Sequence, residues 1–399
     1  MQGKRIVLGV SGGIAAYKVA DLSSKLVQVG AIVDVIMTSS AQKFVTPLTF
    51  QAITKRPVRT DIYADWLGED TGHVGLAHNA DLLVIAPATA NTIARLALGL
   101  SDDLLCAVYL STRAPVLIVP AMESGMFLHP ATQQHLDTLR SRGATVMQPG
   151  EGHLASGATG IGRLPEVAEI VSAIRRVVGA KGPLAGKKVV VTAGGTQEPI
   201  DPVRYVGNGS SGKMGYAIAE EAYYAGADVT LITGAASAPV PHGPTLVRIR
   251  TAREMEKEVG EAIAGADALV MAAAVADYAP IEVSEQKIKK SGDRLNIALG
   301  RNPDILLNLA GREMPGLVRI GFAAETQDLL ENARSKLEKK KLDLIVANDA
   351  VASIGTDNSA LTFITRDGKV EELTPMDKRE SARLIVEKLA SLVRTKETK

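Results

Sequence analysis

With 399 residues, 46% of them hydrophobic and 22% charged, the chain has material for two or three hydrophobic cores, which excludes a disordered polymer and a small staple-dependent fold. Forty-five Lys and Arg against 44 Asp and Glu leave a net charge of +1, which excludes a global field drawing the chain to nucleic acid or an anionic membrane, so anionic ligands are met locally. Cys106, the single cysteine, allows no internal disulfide, the six histidines lack HExxH spacing, and no apolar run approaches the roughly 18 residues of a span, so a cytoplasmic protein without a signal peptide is expected.

Taken in chain order, Arg5 to Val10 is a β-branched run ending in Ser11-Gly12-Gly13, after which Ala15, Val19, Leu22 and Leu26 recur at helical spacing. Strands are predicted at Ala31 to Met37, at Asp81 to Ile85 closing with Pro87, and at Val116 to Val119, with a helix over Thr89 to Leu98. Runs this apolar suit the middle of a parallel sheet. The pattern restarts at Lys187 to Gly195, and Gly226 to Thr233 and Ala266 to Ala273 repeat the second and third strands of the first half. A helix over Pro165 to Val178 runs into the glycine-rich joint Gly179 to Gly186, which places a boundary near residue 180. A hairpin around Asp367-Gly368 and a helix to Val393 close the chain, with a frayed tail beyond. The fold class is therefore α/β, with two doubly wound domains over residues 1–180 and 181–399.

Several motifs carry chemistry. The turn in SGGIAAYK turns backbone amides toward a phosphate at a positive helix end, with the Ser11 hydroxyl as a further donor; its other reading is a plain tight turn. Gly207 to Met214, GNGSSGKM, mimics both a dinucleotide motif and a P-loop, but Met214 stands where a P-loop needs a hydroxyl for magnesium. Asn208, Ser210, Ser211 and Lys213 still make a donor-rich loop. Lys336 and Lys340 lie four apart on one helix face, which suits a polyphosphate, whereas Lys287, Lys289 and Lys290 also read as a solvated run. Asn302-Pro303-Asp304-Ile305 reads as a helix start with Asn302 as N-cap. His73 in GHVGLAH is a candidate acid or base, competing with five other histidines.

Read together and in order, SGGIAAYK, TPLTFQAIT, GHVGLAHNADLLVIAPATANTIARLA, PVRYVGNGSSGKMG, AAAVADY, QKIKK, RNPDI, GFAAET and LDLIVAND resemble the bacterial bifunctional phosphopantothenoylcysteine decarboxylase and phosphopantothenate-cysteine ligase family, over residues 4 to 390. The resemblance implies a flavodoxin-like FMN-dependent decarboxylase in residues 1–180 and a Rossmann-like CTP-dependent ligase in residues 181–399. In the first, it places Ser11, Gly12, Ile14 and Thr38 near the flavin phosphate, and Ala88, Thr89, Asn91 and Asp103 near the ribityl chain or ring. His73 is then the active-site histidine, and Met126 and Arg163 are substrate contacts. In the second, Asn208 stabilises an acyl-cytidylate and Lys287 assists its formation. Met271, Ala272, Ala273, Asp277, Asn302, Pro303, Asp304, Ile305, Phe322, Lys336 and Lys340 meet nucleotide or phosphate, with magnesium on the triphosphate and no metal ligand identified. The implied partners are phosphopantothenate, cysteine and CTP, and flavin-domain trimers joined by ligase-domain dimers imply a homododecamer, with no nucleic acid or membrane.

Two positions depart from the family. Its PxMN motif reads Pro120-Ala121-Met122-Glu123, and where its proton-donating cysteine stands in ACG this chain has Ala155-Ser156-Gly157, inside a flap over Gly152 to Arg163. Ser156 is expected to shape the flap and a protonated Glu123 to deliver the proton. The alternative is an active ligase fused to a flavin-binding module that has lost decarboxylation. A nicotinamide-dependent reductase is disfavoured because no GxGxxG follows the first strand.

Overall fold

The computed structural model describes residues 1–63, 72–289, 295–325, 329–349 and 358–397. It divides into two compact units, Met1–Gly179 and Ala180–Lys399.

In the first unit, strands β1 (Arg5–Val10), β2 (Ile32–Met37), β3 (Val58–Arg59), β4 (Leu82–Ala88), β5 (Val116–Pro120) and β6 (Thr145–Val146) form one sheet in the order β3-β2-β1-β4-β5-β6. Every pairing in it is parallel. Strand alternation sorts the apolar residues onto two faces. Ile6, Leu8 and Val10 pack with Val19, Leu22 and Leu26 of helix Ala16–Gln28 and with Ile170 and Ile174 of helix Val167–Val178. Val7, Leu83 and Ile85 face the other way, onto Leu96, Leu105 and Leu136. Burying both faces is what permits such apolar strands. An antiparallel hairpin, β7 (Gly150–His153) with β8 (Thr159–Arg163), stands apart from the sheet. It docks through the Met122 amide, which donates to Gly162 O at 2.9 Å. A Cβ at Gly162, where φ is +144°, would lie 2.2 Å from Met122 O, so only glycine permits this approach.

The second unit repeats the scheme. Its sheet runs Thr245–Arg248, Asp228–Thr233, Lys188–Ala193, Ala268–Met271, Val318–Glu325, Leu344–Asp349, Leu361–Thr365, Val370–Glu372, with the last two strands antiparallel. Val189 and Val191 pack on helix Lys213–Tyr224 and on the C-terminal helix, while Val190 faces Met255 and Val259 of helix Ala252–Ala262. That C-terminal helix, Lys378–Glu397, passes the expected end at Val393. Its last turn is held rather than frayed: Lys396 Nζ reaches Leu317 O at 2.6 Å and Asp343 Oδ2 at 2.8 Å, and Glu397 pairs with Lys187.

In each sheet the first strand of the unit lies beside a strand reached after the chain has reversed its winding direction. The crossovers at that point leave to opposite faces, which opens a crevice at the carboxyl ends of the strands.

Candidate active sites

In the first unit the crevice between β1 and β4 opens into a cavity of about 630 Å³, a size typical of cofactor sites. Gly12, Ile14, Thr38, Thr89, Asn91 and Asp103 line it. On another part of the wall stand Glu123, Met126, Ser156 and Arg163. The floor is the turn after β1. A Cβ at Gly12 would fall 2.3 Å from Ser40 Cβ and 2.7 Å from the Ser40 carbonyl carbon, so the two loops touch backbone to backbone. Helix Ala16–Gln28 follows with Ala15 as its N-cap and no side-chain cap hydrogen bond, a kind of start that suits an anion.

Three of the expected residues are placed differently. The Ser11 hydroxyl is fully buried and donates to Pro87 O at 2.6 Å while accepting from the Thr89 amide at 3.0 Å, so it braces two loops instead of reaching into the cavity. Ala88 is buried behind the wall, its carbonyl accepting from Ala121 N. His73 begins helix His73–Asn79, does not line the cavity, and its buried Nδ1 has no partner among the described residues.

Glu123 is the N-cap of helix Ser124–Leu128, and its Oε2 accepts from the amides of Gly125 at 2.6 Å and Met126 at 3.2 Å. One oxygen is thus committed as an acceptor, leaving only Oε1 for the expected donor role. Ser156 is exposed at the tip of the β7–β8 hairpin. Sequence reasoning missed His153 and Arg95, which share the wall. Arg95 pairs with Asp102 and with Asp103 at 2.7 Å, and Asp103 Oδ1 caps the next helix at Cys106 N. Cys106 is fully buried on that helix, where burial pushes its thiol up to about 12.

In the second unit, a second cluster forms at the crevice between Lys188–Ala193 and Ala268–Met271. Gly195 pairs with both Ala235 and Ala274, and a Cβ there would lie 2.7 Å from Asn208 O. Asn208 Nδ2 donates to Val275 O at 3.1 Å. Next to it the Ala276 amide donates to Thr196 Oγ1 at 2.9 Å, and Ala273 N donates to Thr192 Oγ1 at 3.2 Å. Met271 ends its strand with its sulfur 3.6 Å from Thr192 Oγ1, and Ala272 and Phe322 pack half-buried on the adjoining core. Asn302 closes this cluster: its Nδ2 donates to Ala276 O at 2.8 Å and its amide to Asp277 O at 2.9 Å. It is therefore not the helix cap. That part falls to Asp304, which follows Pro303 and accepts from Leu307 N at 3.1 Å, so the helix starts at Ile305.

Lys287 is exposed on a loop gripped from below. Asp201, fully buried, accepts from the amides of Val203, Arg204 and Ile288 and from Arg204 Nε at 3.0 Å, while Arg204 Nη2 donates to Ile288 O at 2.9 Å. The Arg204 guanidinium beside it holds the Asp201 carboxyl well below the usual carboxylate range. One carboxylate thereby joins the strand leading to Asn208 with the loop carrying Lys287. Lys290 lies outside the described residues. Lys336 and Lys340 line a separate hollow of about 380 Å³ with Asp304, and Lys340, one residue past the helix, pairs with Asp304 at 3.0 Å, so an anion entering there must displace a carboxylate. No group of three or more His, Cys, Asp or Glu poised for a metal occurs among the described residues. Among them, too, no helix is long and apolar enough to cross a membrane.

The flavoprotein family model matches residues 1–179, and the model of the DNA/pantothenate metabolism flavoprotein C-terminal domain matches residues 184–393. The chain is 45% identical over 374 residues to the coenzyme A biosynthesis bifunctional protein CoaBC of Vibrio cholerae, covering 92% of this chain and 94% of that one. It is 43% identical over 398 residues to the protein of the same name from Bacillus subtilis, covering 98% of each. A crystal structure of the C-terminal domain of a CoaBC protein is 38% identical, covers 54% of this chain and 99% of that one, and superposes with a TM-score of 0.47. The chain belongs to the family of bifunctional coenzyme A biosynthesis proteins, a flavoprotein unit followed by a DNA/pantothenate metabolism unit.

Proposed function

We propose that the two activities of this family are divided between the units, with residues 1–180 as an FMN-dependent phosphopantothenoylcysteine decarboxylase and residues 181–399 as a CTP-dependent phosphopantothenate-cysteine ligase. One observation carries the reading: each unit gathers part of the expected set at its own crevice, Gly12, Thr89, Asn91 and Asp103 in the first and Asn208, Asp277 and Asn302 in the second.

In the ligase unit, the phosphopantothenate carboxylate attacks the α-phosphorus of CTP and pyrophosphate leaves. The cysteine amine then attacks the acyl carbon and CMP leaves. Asn208, fixed by Val275 O, holds the acyl-cytidylate beside Asp277 and Asn302. Lys287 offsets charge that develops on the departing pyrophosphate. Magnesium is held mainly by phosphate oxygens, as is usual for that ion.

The first cavity fits FMN: a glycine turn that a Cβ would fill, an uncapped 13-residue helix start, and a chamber of about 630 Å³. Bound FMN supplies reversible two-electron oxidation of the cysteinyl side chain. Thr89, Asn91 and Asp103 orient the ring and ribityl chain, and Arg163 and Met126 meet the substrate. His73 stands off its own chain's cavity, so its part in the oxidation needs another copy to bring it there. That agrees with trimers of flavin units, which with dimers of ligase units make a homododecamer. The proposed compartment is the cytoplasm, where substrate thiols stay reduced.

The test is separate turnover. Residues 181–399 alone are expected to release CMP from CTP only when cysteine is present, and equal activity with ATP would count against recognition of the cytosine. Full-length protein loaded with FMN is expected to release carbon dioxide from the purified ligase product. A second reading, flavin binding without decarboxylation, is favoured by Ser156 standing in place of the flap thiol. Bleaching of the flavin by phosphopantothenoylcysteine under anaerobic conditions would dismiss it.

A further inference from the structure

Decarboxylation by the reading above consumes one proton per turnover. The bond to the carboxylate breaks, its electron pair stays on the former α-carbon of an enethiolate, and that carbon must take a proton before the two electrons removed earlier return. The flap offers no thiol for this, and several neighbouring groups are poorly matched to it. Cys106 lies buried on a helix with its thiol pushed up to about 12. The Ser156 hydroxyl is a far weaker acid than a thiol. Asp103 is engaged as an acceptor at both oxygens, by Cys106 N at 2.8 Å and Arg95 at 2.7 Å. Glu123 caps its helix through Oε2.

An imidazole, the group most often used for general acid–base work, also stands on the wall. His153 ends strand β7, three residues before Ser156, and lines the same cavity. The ring is exposed, its Nδ1 lies 3.1 Å from Thr159 Oγ1 across the hairpin, and its Nε2 has no partner among the described residues. The hairpin itself is pinned beside Glu123 by the Met122 amide on Gly162 O. We propose that the His153 imidazolium, acting from Nε2, delivers the proton to the carbon that has lost its carboxylate, in place of the missing flap thiol. The Nε2–H bond breaks as the C–H bond forms, and solvent reprotonates the neutral ring. Imidazole is the side chain most often used to pass a proton in catalysis. The assignment rests on the decarboxylase reading of the first unit.

The experiment uses full-length protein loaded with FMN, mixed anaerobically with phosphopantothenoylcysteine. His153→Gln is expected to keep its flavin and bleach as fast as the unsubstituted protein, while recovery of oxidised flavin slows by about 10²-fold, the lower range for loss of a general acid. Recovery in the unsubstituted protein should fall with rising pH, and this limb should vanish in the variant. Adding Ser156→Cys to His153→Gln should restore recovery by returning a thiol to the flap. As a readout apart from turnover, the His153 ring resonances, identified by their loss in the variant, should shift when phosphopantetheine is added to the FMN-loaded protein. Unchanged recovery in His153→Gln, a pH limb that survives it, or ring resonances that ignore the product would each overturn the proposal. An unsubstituted protein that neither bleaches nor releases carbon dioxide would overturn the decarboxylase reading along with it.

Discussion

Replacing Gly12 by alanine adds one carbon at the tightest point of the first cavity. That carbon would lie 2.3 Å from Ser40 Cβ, 2.7 Å from Ser40 C and 2.9 Å from Ser40 O, two of which are backbone atoms that no rotamer change can move. Ordinary contact needs ~3.5 Å or more, so one loop must retreat by about 1 Å. Both loops line the cavity at the end proposed to hold the phosphate, through Gly12 to Ala15 on one side and Thr38 to Ser40 on the other. A retreat of that size breaks one charge-assisted hydrogen bond to the phosphate, worth about 1.5–3 kcal/mol, which raises the FMN dissociation constant about 10- to 100-fold. Overpacking adds a stability loss of about 1–3 kcal/mol in the same unit. The assay is flavin content from visible absorbance, followed by titration of the stripped protein with FMN. Gly13→Ala is the control, because its Cβ would meet only Thr89 Cγ2 at 3.4 Å. Ligase turnover is a second control, since that unit has its own core. Were Gly12→Ala to bind FMN as tightly as Gly13→Ala, the turn after β1 would not be the phosphate cradle.

Asn208→Asp should let acyl-cytidylate form but slow its capture by cysteine, whereas Lys287→Gln should depress its formation; rapid-quench measurement of the intermediate separates the two, and identical profiles would contradict the separate roles. Because the Asp201 carboxyl is held low by Arg204, the stability it contributes is complete above the unfolded value of about 4 and disappears as pH falls toward the depressed folded value. Asp201→Asn should therefore flatten the acid limb of thermal stability in residues 181–399, and an unaltered limb would argue against the clamp. Cys106, with its buried thiol pushed up to about 12, should resist a thiol reagent at pH ~8 until the protein unfolds; stoichiometric labelling of the native protein would contradict that burial.

The strands and the glycine turns after them were legible because each is a local pattern: Arg5 to Val10 and Lys188 to Ala193 announce their sheet positions by β-branched runs alone. Contacts between distant segments were not. The Ser11 hydroxyl looked free for a ligand because its partner, Pro87, is 76 residues away. Asn302 and Asp304 are equally good caps by residue type, and the choice is made by Ala276 O, which claims the asparagine. The clamp of Asp201 on Ile288 spans 87 residues with no spacing rule to reveal it. His153 stood in a segment already marked as a flap, yet its place on the wall follows from a hairpin docked on Met122. The Lys336 and Lys340 pair was visible as a helical stripe, while the Asp304 carboxylate facing it was not.

The pairing of Lys187 with Glu397 gives the second unit an entry and an exit that touch. A compact body whose ends meet can be grafted, closed into a ring or reopened elsewhere with little strain on its interior. For this unit it means that a companion could be tethered as readily behind Glu397 as ahead of Lys187, and that swapping the order of the two units by a short linker should leave ligation intact. The same adjacency warns against tags placed directly on the last helix, because a polypeptide pulled from Glu397 also pulls on Lys187 and, through Asp267, on the strand Lys188–Ala193.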